Sequence, residues 1–141
     1  MKTKLLASAA FVAGLLGVCG PAFAHHGASA YDMTKPVVLK GAVVTKYSWI
    51  NPHVLVQVDY KDDKGDVQHW ITEIGSPSAV TLMGWTRTSL KPGDMITIYV
   101  WRSKTGPTVG RLNKVMLADG SLLRDSQTGA DDGSRADNAV R

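Results

Sequence analysis

The sequence predicts an all-β fold: a small five-stranded OB-like barrel with one short helix between strands 3 and 4. Three observations predict it. Five segments between Val37 and Leu117 read as strands, most of them alternating apolar and polar residues with period two. Turn-forming clusters separate them, among them Asp62-Asp63-Lys64-Gly65-Asp66, Leu90-Lys91-Pro92-Gly93-Asp94 and Lys104-Thr105-Gly106-Pro107. One helix-start signal, Gly75-Ser76-Pro77, falls between the third and fourth segments. That order is the oligonucleotide/oligosaccharide-binding (OB) topology; a short β-sandwich is the alternative.

The first strand is expected over Val37 to Trp49, with the odd positions as the more apolar face and Gly41 as a bend or bulge. Asn51-Pro52 ends it. The second strand, His53 to Tyr60, places Val54, Val56 and Val58 on one face and His53, Leu55, Gln57 and Asp59 on the other. Gly65 supplies the positive φ of the following hairpin, which sets residue 60 opposite about 67. In the third strand, Val67 to Ile74, Trp70, Thr72 and Ile74 share one face, and His69, Ile71 and Glu73 the other. Ser76 is read as an N-cap and Pro77 as the first helical residue of a helix over Ser78 to about Met83. The fourth strand, Met95 to Arg102, turns Ile96, Ile98 and Val100 inward. Tyr99 and Trp101 then face outward and, with His69, are the candidates for an interaction surface. The remaining tryptophans, Trp49, Trp70 and Trp85, read as structural. The fifth strand runs from about Val109 to Leu117, and its inward face is ambiguous from alternation.

Four segments follow from composition. Residues 1–24 read as a cleaved signal peptide, with Lys2 and Lys4, an apolar run from Leu5 to Val18, and Ala22-Phe23-Ala24 as the cleavage site. Residues 25–36 form an N-terminal arm, 37–123 the barrel and 124–141 a polar tail with too few apolar residues to offset its ordering entropy. The only cysteine, Cys19, lies in the signal. A lipoprotein cut before Cys19 would need a small residue where Val18 stands. The processed chain is therefore expected to be free of thiols and periplasmic, with no stable membrane insertion. Losing Lys2 and Lys4 lowers the net charge from +4 to +2. With no Lys/Arg run, this argues against a nucleic-acid partner.

All four histidines, His25, His26, His53 and His69, survive the expected cleavage. Cleavage makes His25 the N-terminal residue. Its free amine, with a pKa of about 8, and its own Nδ1 can chelate one metal ion. Two nitrogens from one residue plus a further imidazole favour Cu(II). His26 or His53 would supply that imidazole, and Glu73, diagonal to His53 across the hairpin, would stand in or near the shell. The competing reading is an exposed terminus, a strand-capping His53, and Glu73 paired with a lysine such as Lys46. No zinc signature, nucleophile elbow, phosphate loop or catalytic triad is present, and the Asp62–Asp66 loop lacks the closing glutamate of a calcium site.

Several motifs resemble those of an uncharacterised family of small exported bacterial proteins, carried as a domain of unknown function. They are His25-His26-Gly27, Tyr31-Asp32, Lys35-Pro36-Val37, Leu39-Lys40-Gly41 and Trp49-Ile50-Asn51-Pro52-His53. Trp70 with Glu73, Gly75-Ser76-Pro77, Gly84-Trp85-Thr86 and Leu90-Lys91-Pro92-Gly93-Asp94 complete the set, which spans about residues 25 to 123. Gly27 stands where family members typically have serine. The resemblance implies an exported OB-like barrel and no assigned activity. It puts His25, His26, His53 and Glu73 inside recurring motifs. The sequence thus leads to a periplasmic, non-enzymatic binding protein, with copper as the candidate cofactor. Its partner would be a metal ion or an envelope protein. The alternatives are a metal-free envelope-interaction module and a copper oxidase-like enzyme.

Overall fold

The computed structural model describes residues 28–125. A 3-10 turn (Ala28–Ala30) leads into β1 (Val37–Ser48), β2 (Leu55–Lys61), β3 (Val67–Glu73), α1 (Pro77–Thr81), β4 (Met95–Arg102), β5 (Val109–Met116) and β6 (Leu122–Arg124). The strands lie in the order β3-β2-β1-β4-β5-β6, and a parallel pairing of β3 with β5 closes the first five into a barrel. One short helix stands between strands 3 and 4, as the sequence predicts. Among the described residues no helix is long and apolar enough to cross a membrane.

The core is built from the inward faces of these strands. Val54, Val56, Val58, Trp70, Ile74, Ile96, Ile98, Val100, Leu112 and Val115 are all buried. Thr72 is buried among them and donates its hydroxyl to Val56 O at 3.0 Å, so its polar atom is satisfied. α1 closes one end of the barrel. The Ser76 side chain caps it, Pro77 opens it, and Val80 enters the core. It ends at Thr81, sooner than the sequence suggests, and Trp85 behind it is fully buried with Nε1 donating to Arg124 O at 2.8 Å.

The expected apolar odd face of β1 is corrected by two bulges. The pairing with β4 skips Gly41, which has φ +71°, and the pairing with β2 skips Thr45. Each extra residue reverses the alternation. Leu39 therefore points inward, then Ala42 and Val44, while Val43 is exposed; after the second bulge Tyr47 is half-buried against the core. The β2–β3 hairpin also differs by one position from the expected register: Lys61 pairs with Val67 and Leu55 with Glu73. Only a pairing of like parity puts Val58 opposite Trp70 and Asp59 opposite His69, with each pair on one face.

Two further expectations are corrected. Tyr99 and Trp101 do not form an exposed contact surface; they are 9% and 5% exposed. Lys114, itself buried, holds its ammonium 4.4 Å from the centre of the Tyr99 ring. The incoming chain pairs with the end of β4 next to Trp101, through a Tyr31–Ser103 bridge and an Asp32 N–H bond to Arg102 O at 2.8 Å. Arg124, assigned by composition to the tail, belongs to β6, and the Asp125 N–H donates to Asn113 O at 2.9 Å. Residues 126–141 lie outside the described residues.

Candidate functional site

The seam where β3 meets β5 gathers the polar side chains. Parallel pairing sets Glu73 opposite Arg111, so their side chains leave the sheet on one face. The Tyr31 hydroxyl donates to Glu73 Oε1 at 2.7 Å. Burial pushes the Tyr31 phenol up to about 12, the bond to Glu73 and its negative charge add to the rise, and the nearby Arg111 charge opposes it. Arg111 in turn donates from Nε and Nη2 to Asp125 Oδ2, at 2.7 and 2.5 Å. The other Asp125 oxygen accepts from Gly75 N–H at 2.7 Å. Two sets of polar contacts thus lie side by side at the seam: Tyr31 with Glu73, tying the incoming segment to β3, and Asp125 with Arg111 and Gly75 N–H, tying the end of β6 to β5 and to the residue after Ile74.

His53 stands beside these contacts. Glu73 pairs with Leu55, two residues further along, so His53 and Glu73 are diagonal neighbours. His53 Nδ1 lies 3.1 Å from Ile74 O. A carbonyl oxygen only accepts, so Nδ1 carries the proton and the lone pair of the neutral ring is on Nε2. Metal-binding histidines are commonly oriented in this way by a backbone carbonyl. The observed register puts Glu73 opposite Leu55, so His53 and Glu73 are diagonal, one position further apart than expected, with one Glu73 oxygen engaged by Tyr31. His25 and His26 lie outside the described residues. Among the described residues no three or more of His, Cys, Asp and Glu are grouped so as to hold a metal ion. The barrel contributes at most a His–Glu pair, and any further ligand must come from elsewhere.

His69 is a separate feature. It is exposed, and its Nδ1 lies 2.6 Å from Asp59 Oδ1 across the hairpin. Four residues of strand, roughly 13 Å, separate it from Glu73. The groove around it, about 320 Å³, is lined by Thr45, Gln57, Asp59 and Ile71 among others.

Sequence reasoning missed Arg111 and Asp125 and treated Tyr31 only as part of a motif. Arg111 was findable, since the OB topology itself closes β5 against β3. Asp125 carried no signal, because its acidic side chain sits at the start of a polar stretch. Neither a curated protein nor a solved structure matches this chain. The family model that does match covers residues 12–113, most of the chain. On that match, the protein belongs to the family of unknown function DUF6152.

Proposed function

We propose that the protein is an exported, periplasmic binding protein without enzymatic activity that takes Cu(II) at its processed N-terminus. Export rests on the signal-like first 24 residues, and cleavage after Ala24 would make His25 the terminal residue. The amine and imidazole of His25 would form the chelate, His26 and His53 would add nitrogens, and Glu73 would stand in or near the shell. Such a nitrogen-rich set suits Cu(II). The chemistry supplied is retention or delivery of the ion.

One observation carries the reading: the Tyr31 hydroxyl is bonded to Glu73 at 2.7 Å. That bond ties the segment that follows the histidine pair to the strand end bearing Glu73, beside His53. His26 lies five positions before Tyr31, a reach of at most about 17 Å when extended. The Nδ1 bond from His53 to Ile74 O, which orients the ring, supports the same reading.

Two measurements test it. Mass spectrometry of the protein purified from the cell envelope should find His25 at the N-terminus; a different terminus removes the chelate. Cu(II) at about 100 times its dissociation constant should stabilise the fold by about 2.7 kcal/mol. For a domain of this size that raises the melting temperature by on the order of 10 °C or more. The rise should be lost in His25→Ala and reduced in His53→Ala. A melting temperature indifferent to copper contradicts the proposal.

A further inference from the structure

Two exposed methionines lie on the outer face of the barrel, at the opposite end of β5 from Arg111. Val43 pairs with Met95 across β1 and β4, Thr97 pairs with Met116 across β4 and β5, and Met116 pairs with Leu122 across β5 and β6. No bulge interrupts β4 between Met95 and Thr97, so all five side chains leave the same face. Met95 is 62% exposed and Met116 38% exposed. The inward neighbours Ile96, Ile98 and Val115 already fill the core, so neither methionine is needed there.

The arrangement across the four strands is ordered: an aliphatic residue, two methionines, an aliphatic residue. Met95 and Met116 are diagonal neighbours, with Cβ atoms about 7 Å apart at such positions, within reach of long side chains. Two unbranched thioethers at this spacing can turn toward each other and share one ion between their sulfurs. Val43 and Leu122, themselves exposed, flank the pair on the same face. Beside Met95 lies a depression of about 250 Å³ lined by Ser89, Asp94, Leu117 and Asp119 among others. Thioether sulfur is a soft ligand and selects soft monovalent ions over hard divalent ones.

We propose that Met95 and Met116 form a thioether site for a soft monovalent cation, Cu(I) or its analogue Ag(I), distinct from the His53–Glu73 region. The site uses none of the histidines, so it stands or falls independently of the Cu(II) reading.

The protein as processed by the cell, labelled with carbon-13 in its methionine methyl groups, is titrated with silver nitrate in chloride-free buffer. Two methyl signals, assigned with Met95→Leu and Met116→Leu, should move together and saturate at one silver ion per chain. Those of Met33 and Met83 should stay in place. Either substitution should weaken silver binding roughly tenfold or more and abolish the response of the remaining methionine. Leucine is close to methionine in volume and both positions are exposed, so folding is retained; circular dichroism checks it. The proposal is overturned if neither signal moves, if all the methionines respond alike, or if Met116 responds unchanged in Met95→Leu. His53→Ala should leave the methyl response intact.

Discussion

Replacing Tyr31 with phenylalanine removes a single oxygen atom from the seam and leaves the ring in place. That oxygen donates to Glu73 at 2.7 Å, and Tyr31 is buried. A hydrogen bond to a charged acceptor contributes about 1.5–3 kcal/mol, and no cavity is opened. With a urea dependence of about 1–3 kcal/mol per molar for a small domain, the unfolding midpoint should fall by roughly 1 M. The pH dependence sharpens the test. The phenol is raised from its ordinary 10 to about 12 in the folded state. A folded value above the unfolded one means that the stabilisation is fully present below pH 10 and is lost as the pH rises through 12. The gap between Tyr31 and Tyr31→Phe should therefore be constant from pH 7 to 9 and close between 10 and 12. Urea titrations across that range, with Glu73→Gln and the double variant completing a cycle, provide the assay. A gap of less than about 0.3 kcal/mol at pH 7, or one unchanged through pH 12, would refute the reasoning.

Three other substitutions probe the frame around the site. Asp125→Ala withdraws the acceptor of both Arg111 and Gly75 N–H and should cost about 2–4 kcal/mol in urea unfolding, because a half-buried guanidinium loses its partner. Gly110→Ala should cost about 3 kcal/mol or more, or prevent folding, since the new methyl group would collide with Val100 Cγ1 and lie 2.5 Å from Trp101 O. Gly41→Ala meets nothing within 4 Å, so only its φ of +71° opposes the change, and the loss should stay at about 1–2 kcal/mol. Thermal or urea unfolding that ranks Gly41→Ala above Gly110→Ala would contradict the packing described here.

The barrel was legible because its signals are local. Period-two alternation marked β2, β3 and β4 with the right faces turned inward, and Ser76-Pro77 marked the start of α1. β1 was misread beyond Gly41 because a bulge is a property of the pair: nothing in Thr45 announces that β2 will skip it. Tyr99 and Trp101 were placed on the correct side of β4, yet alternation separates inside from outside only for an uncovered sheet. Here Lys114 stacks on one ring, and the incoming segment pairs beside the other. At the seam, the hairpin reading put His53 and Glu73 at the same end of β2 and β3, one position off in register. Arg111 comes opposite Glu73 only through the parallel closure of β3 on β5, and Asp125 comes to Arg111 through its return along β5; both are long-range pairings that periodicity does not carry.

Electron paramagnetic resonance of the processed protein loaded with one equivalent of Cu(II) bears most directly on the proposed metal site. The spectrum should show nitrogen-rich coordination, with imidazole couplings that fall by one in His53→Ala and a chelate signature that disappears in His25→Ala. The spectrum of aqueous copper, or one that both substitutions leave unchanged, would contradict it.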